Sequence, residues 1–267
     1  MKKISLFMSG MLLSIIGLTS CLQNTGNTET GRLFGVLTLS SAGMNFVLNT
    51  AIGAVFDPQI TQWVATGQMQ QNGCYLFDYM IDYGLPDNSS ASLQANGYYT
   101  ITITDYLELP GYTPSSNLTD TTTVLPNEVP VVNGCSAWTS IGQYFIAQQV
   151  VNQPADRQLN WNMSYDYNTL TNPAEESGLR YYDVFVRAIK MTDGMQSVTD
   201  VTYLNAYNMS NFLQLAATNE KTQLGGSYSS TSSIFRLRVN YARTITDSVI
   251  TWQNSIQEVP IYPFITE

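Results

Sequence analysis

The residues of this chain best able to do chemistry are its carboxylates. Twenty Asp and Glu stand against 11 Lys and Arg in 267 residues, and there is no histidine. Without histidine there is no Ser-His or Cys-His nucleophile, no His-ligated metal and no imidazole proton shuttle. Two acids could still hydrolyse a glycoside if one stays protonated and the other ionised. Asp78 and Asp82 share one face of an expected strand, near Tyr79 and Tyr83. Four residues along a strand span about 13 Å, too far for a concerted pair without a third residue, so both read as outward-facing polars. Glu175 and Glu176 follow Asn172-Pro173 and read as a solvated turn. Asp193-Gly194 and Asp200 frame a turn without the alternation of acids that a calcium loop requires. No nucleophile elbow, Walker A loop, Gly-x-Gly-x-x-Gly or Ser-x-x-Lys occurs. The expectation is a non-catalytic protein with no cofactor and no metal, its ligand left open.

Cys21, Cys74 and Cys135 are the three thiols. In an oxidising compartment Cys74 and Cys135 can pair, and closing the interval between them would stabilise by about 4 kcal/mol on chain-entropy grounds. The alternative is two separately buried thiols. Tyr75, Tyr79 and Tyr83 recur every four residues on one strand face. Such a stripe could stack on sugar rings, with Asn and Gln supplying hydrogen bonds, or it is simply a packed sheet face. Trp63, Trp138, Trp161 and Trp252 lie in or beside apolar runs and read as core.

The elements that must position these groups are strands. Residues 159–167 alternate without exception, apolar or aromatic at odd positions and polar at even ones. Residues 234–241 repeat the pattern and place Phe235, Leu237, Val239 and Tyr241 inward, and residues 99–104 alternate as well. Further strands are expected at 74–83, 143–151, 181–189, 198–203 and 244–252. Helical signals are sparse. Ser210 could cap a short turn through residues 211–215, and Asp57-Pro58 could start another near Trp63. The fold class is all-β, and the strand spacing signals a sandwich or barrel. Between Leu109 and Gly134, four prolines (Pro110, Pro114, Pro126, Pro130) punctuate a Thr- and Ser-rich stretch that is excluded from central sheet. So long a loop argues for an interdomain connection. This divides the body into about 31–125 and 135–262 with a linker at 126–134, the rival being a single large β-sandwich.

At the N-terminus Lys2 and Lys3 precede an uncharged run over residues 4–18, too short for a membrane span and of the size of an export signal. It ends in Leu18-Thr19-Ser20-Cys21, which resembles the lipobox of bacterial lipoprotein precursors. The resemblance implies cleavage after residue 20, a diacylglyceryl group on the Cys21 sulfur and acylation (typically palmitate) of the new amino terminus. Several acyl chains on one residue anchor stably where one does not. Residues 22–30 carry no periodic apolar face and read as the rest of a flexible tether, 21–30. With Lys2 and Lys3 removed, 9 basic residues face 20 acidic ones, a net charge of −11. Such a surface repels phosphate backbones, so no nucleic-acid partner is expected.

The order of features resembles the NigD-like lipoproteins of the Bacteroidetes. The lipobox precedes a β-rich region containing Gly97-Tyr98-Tyr99-Thr100-Ile101-Thr102-Ile103, and a Pro-rich join precedes Ala137-Trp138-Thr139-Ser140-Ile141-Gly142-Gln143-Tyr144-Phe145-Ile146. The resemblance implies an N-terminal OB-like barrel followed by a C-terminal β-sandwich, lipid-anchored in the cell envelope and by preference at the outer membrane. It implies no reaction. The functions compatible with all this are a binding or scaffolding module, a carbohydrate-binding component of a glycan-uptake system, a carboxylate-dependent glycosidase, or a surface adhesin with an envelope partner.

Overall fold

The first described element is a twelve-residue strand, β1 (Thr28–Leu39), to which both long neighbours of the first sheet are paired. The computed structural model describes residues 27–40, 44–134, 139–261 and 264. β2 (Phe46–Thr50) and β3 (Gly53–Phe56) continue antiparallel as a meander, α1 (Gln59–Ala65) follows, and β4 (Cys74–Asp82) returns against β1. A short α2 (Ser90–Asn96) ends on Gly97, whose φ of 74° is the left-handed conformation that glycine adopts without penalty. β5 (Tyr98–Thr100) and β6 (Thr102–Glu108) are one run interrupted at Ile101. β5 pairs parallel with β3, while β6 pairs antiparallel with β4. The two ends of the order β5-β3-β2-β1-β4-β6 are therefore consecutive in the chain, and the sheet curls round on itself as an OB-like barrel.

Alternation fills the barrel. Leu37, Leu48, Val55, Phe77, Ile101 and Ile103 point inward and are buried, each contributing about 1.5–3 kcal/mol relative to exposure. A side chain at Gly31 would place its Cβ 2.9 Å from the Tyr79 ring, so glycine lets β1 pass over that tyrosine. Asp57-Pro58 does start a helix: one Asp57 oxygen accepts the Gln59 N–H (2.8 Å) and the other the Ile103 N–H (2.6 Å), tying α1 to β6.

The second body has two sheets. In chain order its strands are β7 (Gly111–Tyr112), β8 (Glu128–Val129), β9 (Asn133–Gly134), β10 (Thr139–Ile141), β11 (Tyr144–Pro154) and β12 (Leu159–Ser164). After α3 (Tyr167–Thr171) come β13 (Ala174–Glu176), β14 (Leu179–Lys190) and β15 (Val198–Asn208). Then α4 (Ser210–Leu224) leads to β16 (Ile234–Thr246) and β17 (Val249–Pro260). One sheet runs β10-β11-β15-β7 with β9 on β11; the other runs β12-β14-β16-β17 with β8 and β13 on β14. They pack through Phe145 and Tyr207 on one side and Val184, Val186, Leu237 and Val239 on the other, all essentially inaccessible. The arrangement is barrel followed by sandwich, not one large sandwich.

Three local expectations need correction. Residues 210–224 form a 15-residue helix rather than a turn ending at 215, and its cap is Met209, with Ser210 already helical. Residues 244–252 are not one strand. β16 ends at Thr246 and β17 begins at Val249, and Asp247 and Ser248 (φ 49° and 68°) make the tight turn that matches hairpin twist. Glu175 and Glu176 belong to β13, paired with β14 through a turn at 177–178, and are not merely a solvated loop.

The Pro-punctuated stretch runs over the sandwich as a strap. It contributes β7 to β15, bridges β12 at Ser115, contributes β8 to β14, buries Val131 and contributes β9 to β11. As the prolines require, its strands are only two residues long. A third apolar cluster joins barrel to sandwich: Val36, Cys74, Leu76 and Leu109 meet Ile141, Tyr144, Ile146 and Ala206. Among the described residues no helix is long and apolar enough to cross a membrane.

Candidate functional site

At the N-terminus of α4 the sandwich leaves a cavity of about 240 Å³, lined by Thr113, Pro114, Tyr165, Asn208, Met209, Ser210, Asn211 and Phe212. Three segments build it. The strap supplies Thr113 just after β7, which is held parallel to β15 by Gly111 and Tyr112. Tyr165 follows β12, and its N–H donates to the Ser115 carbonyl (3.0 Å), so the strap fixes it. Asn208 ends β15 and turns the chain into the helix.

The first N–H groups of a helix lack intrahelical acceptors. Here Asn208 Oδ1 accepts from the Ser210 N–H (3.2 Å) and the Met209 carbonyl accepts from the Leu213 N–H (2.8 Å). The Asn211 and Phe212 N–H groups between them meet no acceptor among the described residues. Tyr165 is 4% exposed, its ring edge-on to Phe212 with centroids 5.0 Å apart. Its hydroxyl makes no hydrogen bond with any described residue, and burial holds the phenol above its ordinary pKa, which keeps it a donor. No carboxylate lines the cavity. What gathers there is a set of donors beside the positive end of a helix dipole.

The acids singled out from the sequence do not converge. Asp78 is held by Arg32 through two contacts of 2.5 and 2.7 Å, which keeps its carboxyl below the usual range. Asp82 accepts from the Gly84 N–H, 2.8 Å away. Glu176 and Asp183 both pair with Arg238, Asp183 bidentately at 2.6 and 2.8 Å. Asp193 pairs with Lys190 and Asp200 accepts from Asn152. Among the described residues no three of His, Cys, Asp and Glu are grouped as metal ligands.

Nor is there a stacking stripe of tyrosines. Tyr75 and Tyr79 face the barrel interior, with Tyr75 Oη accepting from the Gln70 N–H at 2.6 Å. Tyr79 and Tyr83 each donate to Glu29, and only Tyr83 is exposed. Trp161 is core and Trp63 packs at the edge of the barrel core. Trp252 is half-buried, its Nε1 donating to the Thr121 carbonyl at 2.9 Å. Cys74 is buried, which pushes its thiol pKa up to about 12. Cys21, Cys135, Trp138, the leader and residues 21–26 of the tether lie outside the described residues, while Thr28, Glu29 and Thr30, expected as tether, already belong to β1.

Of the cavity residues, the sequence places Tyr165 inward and marks Ser210, with Asn211 and Phe212, as a short helical turn; Thr113 and Asn208 are not singled out. The available signal was an Asx residue just before the helical run.

Residues 25–107 match the lipoprotein OB domain. A comparison with curated proteins finds no match. An uncharacterized protein from Parabacteroides merdae superposes with a TM-score of 0.72 at 20% identity, over 86% of this chain and 99% of that one. A candidate lipoprotein from Bacteroides fragilis aligns with a TM-score of 0.50 at 10% identity, over 87% and 97%. A NigD-like immunity protein from Bacteroides caccae aligns at 0.43 and 11% identity, over 84% and 91%. At these identities the likeness is one of fold.

Proposed function

We propose that this chain, whose residues 25–107 match the lipoprotein OB domain, is a lipid-anchored, non-catalytic protein of the cell envelope that binds or scaffolds a partner there. The observation that carries the reading is one of position. Leu18-Thr19-Ser20-Cys21 ends four residues before the matched domain begins, as an acylated first residue on a short tether requires. The acids give further support. Asp78 is tied to Arg32, Glu220 to Arg180 and Glu128 to Arg187, while Asp183 and Glu176 share Arg238, so each of these carboxylates is already paired with a cation. A hydrolase of the two-carboxylate type needs two acids about 5–9.5 Å apart across a cleft.

The experiment is metabolic labelling with a palmitate analogue, followed by membrane fractionation of wild type and Cys21→Ala. Wild type is expected to carry label and sediment with the outer membrane, and the variant to lose both properties. Unlabelled wild-type protein recovered free of lipid would overturn the anchor. Hydrolysis of envelope or dietary glycans that disappears on replacing a single carboxylate would overturn the non-catalytic half.

A further inference from the structure

We propose that the outer edge of β17 pairs with the same edge of a second copy of this chain, the two strands running antiparallel about a two-fold axis at Asn254. This goes beyond the envelope reading and does not rest on the lipid anchor. β1, β4, β11, β14, β15 and β16 are each paired on both edges, whereas β17, twelve residues long, is paired among the described residues with β16 alone. Two bonds fix which of its backbone groups point outward. The Ile261 N–H donates to the Ser233 carbonyl (3.1 Å), in register with the Ile234–Pro260 pair, so odd positions of β17 turn toward β16. The Ala242 carbonyl accepts from the Val131 N–H (2.8 Å) on the side of β16 away from β17, so Ala242 and its partner Trp252 exchange no bonds. Trp252, Asn254, Ile256 and Glu258 therefore direct their N–H and C=O groups away from the sheet, where no described residue meets them.

Long edges are ordinarily guarded by Lys, by an internal proline, by a bulge or by a covering segment. Residues 249–259 hold no Lys, Arg or Pro and a single charge, Glu258, and the register shift opposite Trp252 lies in β16. The occupant follows from the strand's own sequence. Two β17 strands inverted about Asn254 set Asn254 against Asn254, Trp252 against Ile256 and Ile250 against Glu258, so the lone carboxylate meets an aliphatic side chain and not its copy. Even positions face even ones, which brings outward backbone groups against outward backbone groups. Trp252 is half-buried and Ile256 is 52% exposed, and an aromatic opposite a β-branched residue is a favourable cross-strand pair. Each copy uses its edge on the other, so the assembly closes at two and does not propagate. A contact along one edge is at the small end of stable interfaces, and association is expected to be weak.

The test uses the whole chain from residue 21 onward with Cys21→Ala, so that no acyl group drives association. Sedimentation equilibrium should show monomer and dimer with no larger species. Asn254 is exposed, so Asn254→Lys and Asn254→Asp leave the monomer folded while each sets like charges face to face across the axis. Each should weaken the dimer about fivefold or more, and an equimolar mixture of the two should restore it. Asn254→Cys should cross-link under mild oxidation beyond the level of the parent chain, because Cα atoms paired on the axis lie about 5.5 Å apart. Glu258→Cys should not, since its copies lie at opposite ends of the pairing. A chain still monomeric at about 0.5 mM would overturn the proposal. Slow hydrogen exchange of the Trp252, Asn254 and Ile256 amides in that monomer would assign the edge to another segment of the same chain, and fast exchange would leave it to a strand of a different protein. A dimer indifferent to both charge variants, a mixture that fails to restore it, or cross-linking at position 258 and not at 254 would overturn it equally.

Discussion

Replacing Glu128 by Gln should destabilise the sandwich severely, while removing Glu128 and its partner together should not. Arg187 Nη1 lies 2.8 Å from Glu128 Oε2, with the two side chains 1% and 0% exposed. Arg187 also donates to the carbonyls of Thr123 (3.0 Å) and Asp120, and its guanidinium sits 5.1 Å over the Trp252 ring. One strand of the sheet thus grips the strap through a desolvated charge. The Gln variant keeps shape and an acceptor but leaves the guanidinium without a counter-charge in the interior. Breaking a buried pair in this way costs about 3–5 kcal/mol. At about 2–4 °C per kcal/mol for a body of this size, Tm should fall by on the order of 6–20 °C. The pair is itself imperfect, since Glu128 Oε1 and Arg187 Nε have no hydrogen-bond partner. Replacement of both residues by apolar ones (Arg187→Met with Glu128→Leu) should therefore recover to within about 2 kcal/mol of wild type or better. Urea and thermal unfolding of the three proteins decide the matter. A loss under about 1 kcal/mol in Glu128→Gln, or a double variant no more stable than the single, would refute the reasoning.

Acid should loosen the strap before it unfolds the body. The N–H of Thr122, with the hydroxyls of Thr123 and Thr122, holds the Asp120 carboxyl down at about 2. Its folded value lies below the unfolded one, so its contribution is complete above about pH 3.9 and drains away as pH falls towards about 2. The Trp252 indole N–H, bonded to Thr121, should report that window by NMR, and Asp120→Ala should abolish it. Thiol reagents should leave Cys74 untouched in the native protein at pH 8. Denaturation without reductant should release both it and Cys135, whereas release of neither would establish a bond between them. Arg32→Ala should change stability by less than about 1 kcal/mol despite the bidentate geometry, because the pair is 47% and 33% exposed.

How far the sequence could be read depended on which faces were wet. The alternation expected over 159–167 survives as β12 with Tyr165 and stops there, because Tyr167 opens α3 and is exposed, while that over 234–241 survives within β16, the polar side being the wetter one in both. α4 was harder because its buried stripe is Phe212, Leu213, Ala216, Ala217 and Glu220. Two members are small and one is an acid, sequestered by Arg180 at 2.9 and 2.7 Å and by the Tyr182 hydroxyl. No hydropathy pattern marks a glutamate as interior. The hairpin at Asp247-Ser248 was hidden because β-branched residues flank it closely on both sides and the turn lacks the glycine that usually announces it. The cavity was invisible for another reason: it joins residues about 100 positions apart, Thr113 and Asn211, through pairings no local window contains.

The strap has a consequence for the order in which this molecule can be assembled. Its partners in the second body are made after it, among them Ser164, Ala188, Ala242 and finally Trp252. A nascent chain emerging amino end first therefore holds the strap idle until nearly the last strand has arrived. Native contacts of such long sequence separation form slowly. The sandwich is thus a late-closing structure, complete only when β17 brings Trp252 to the strap.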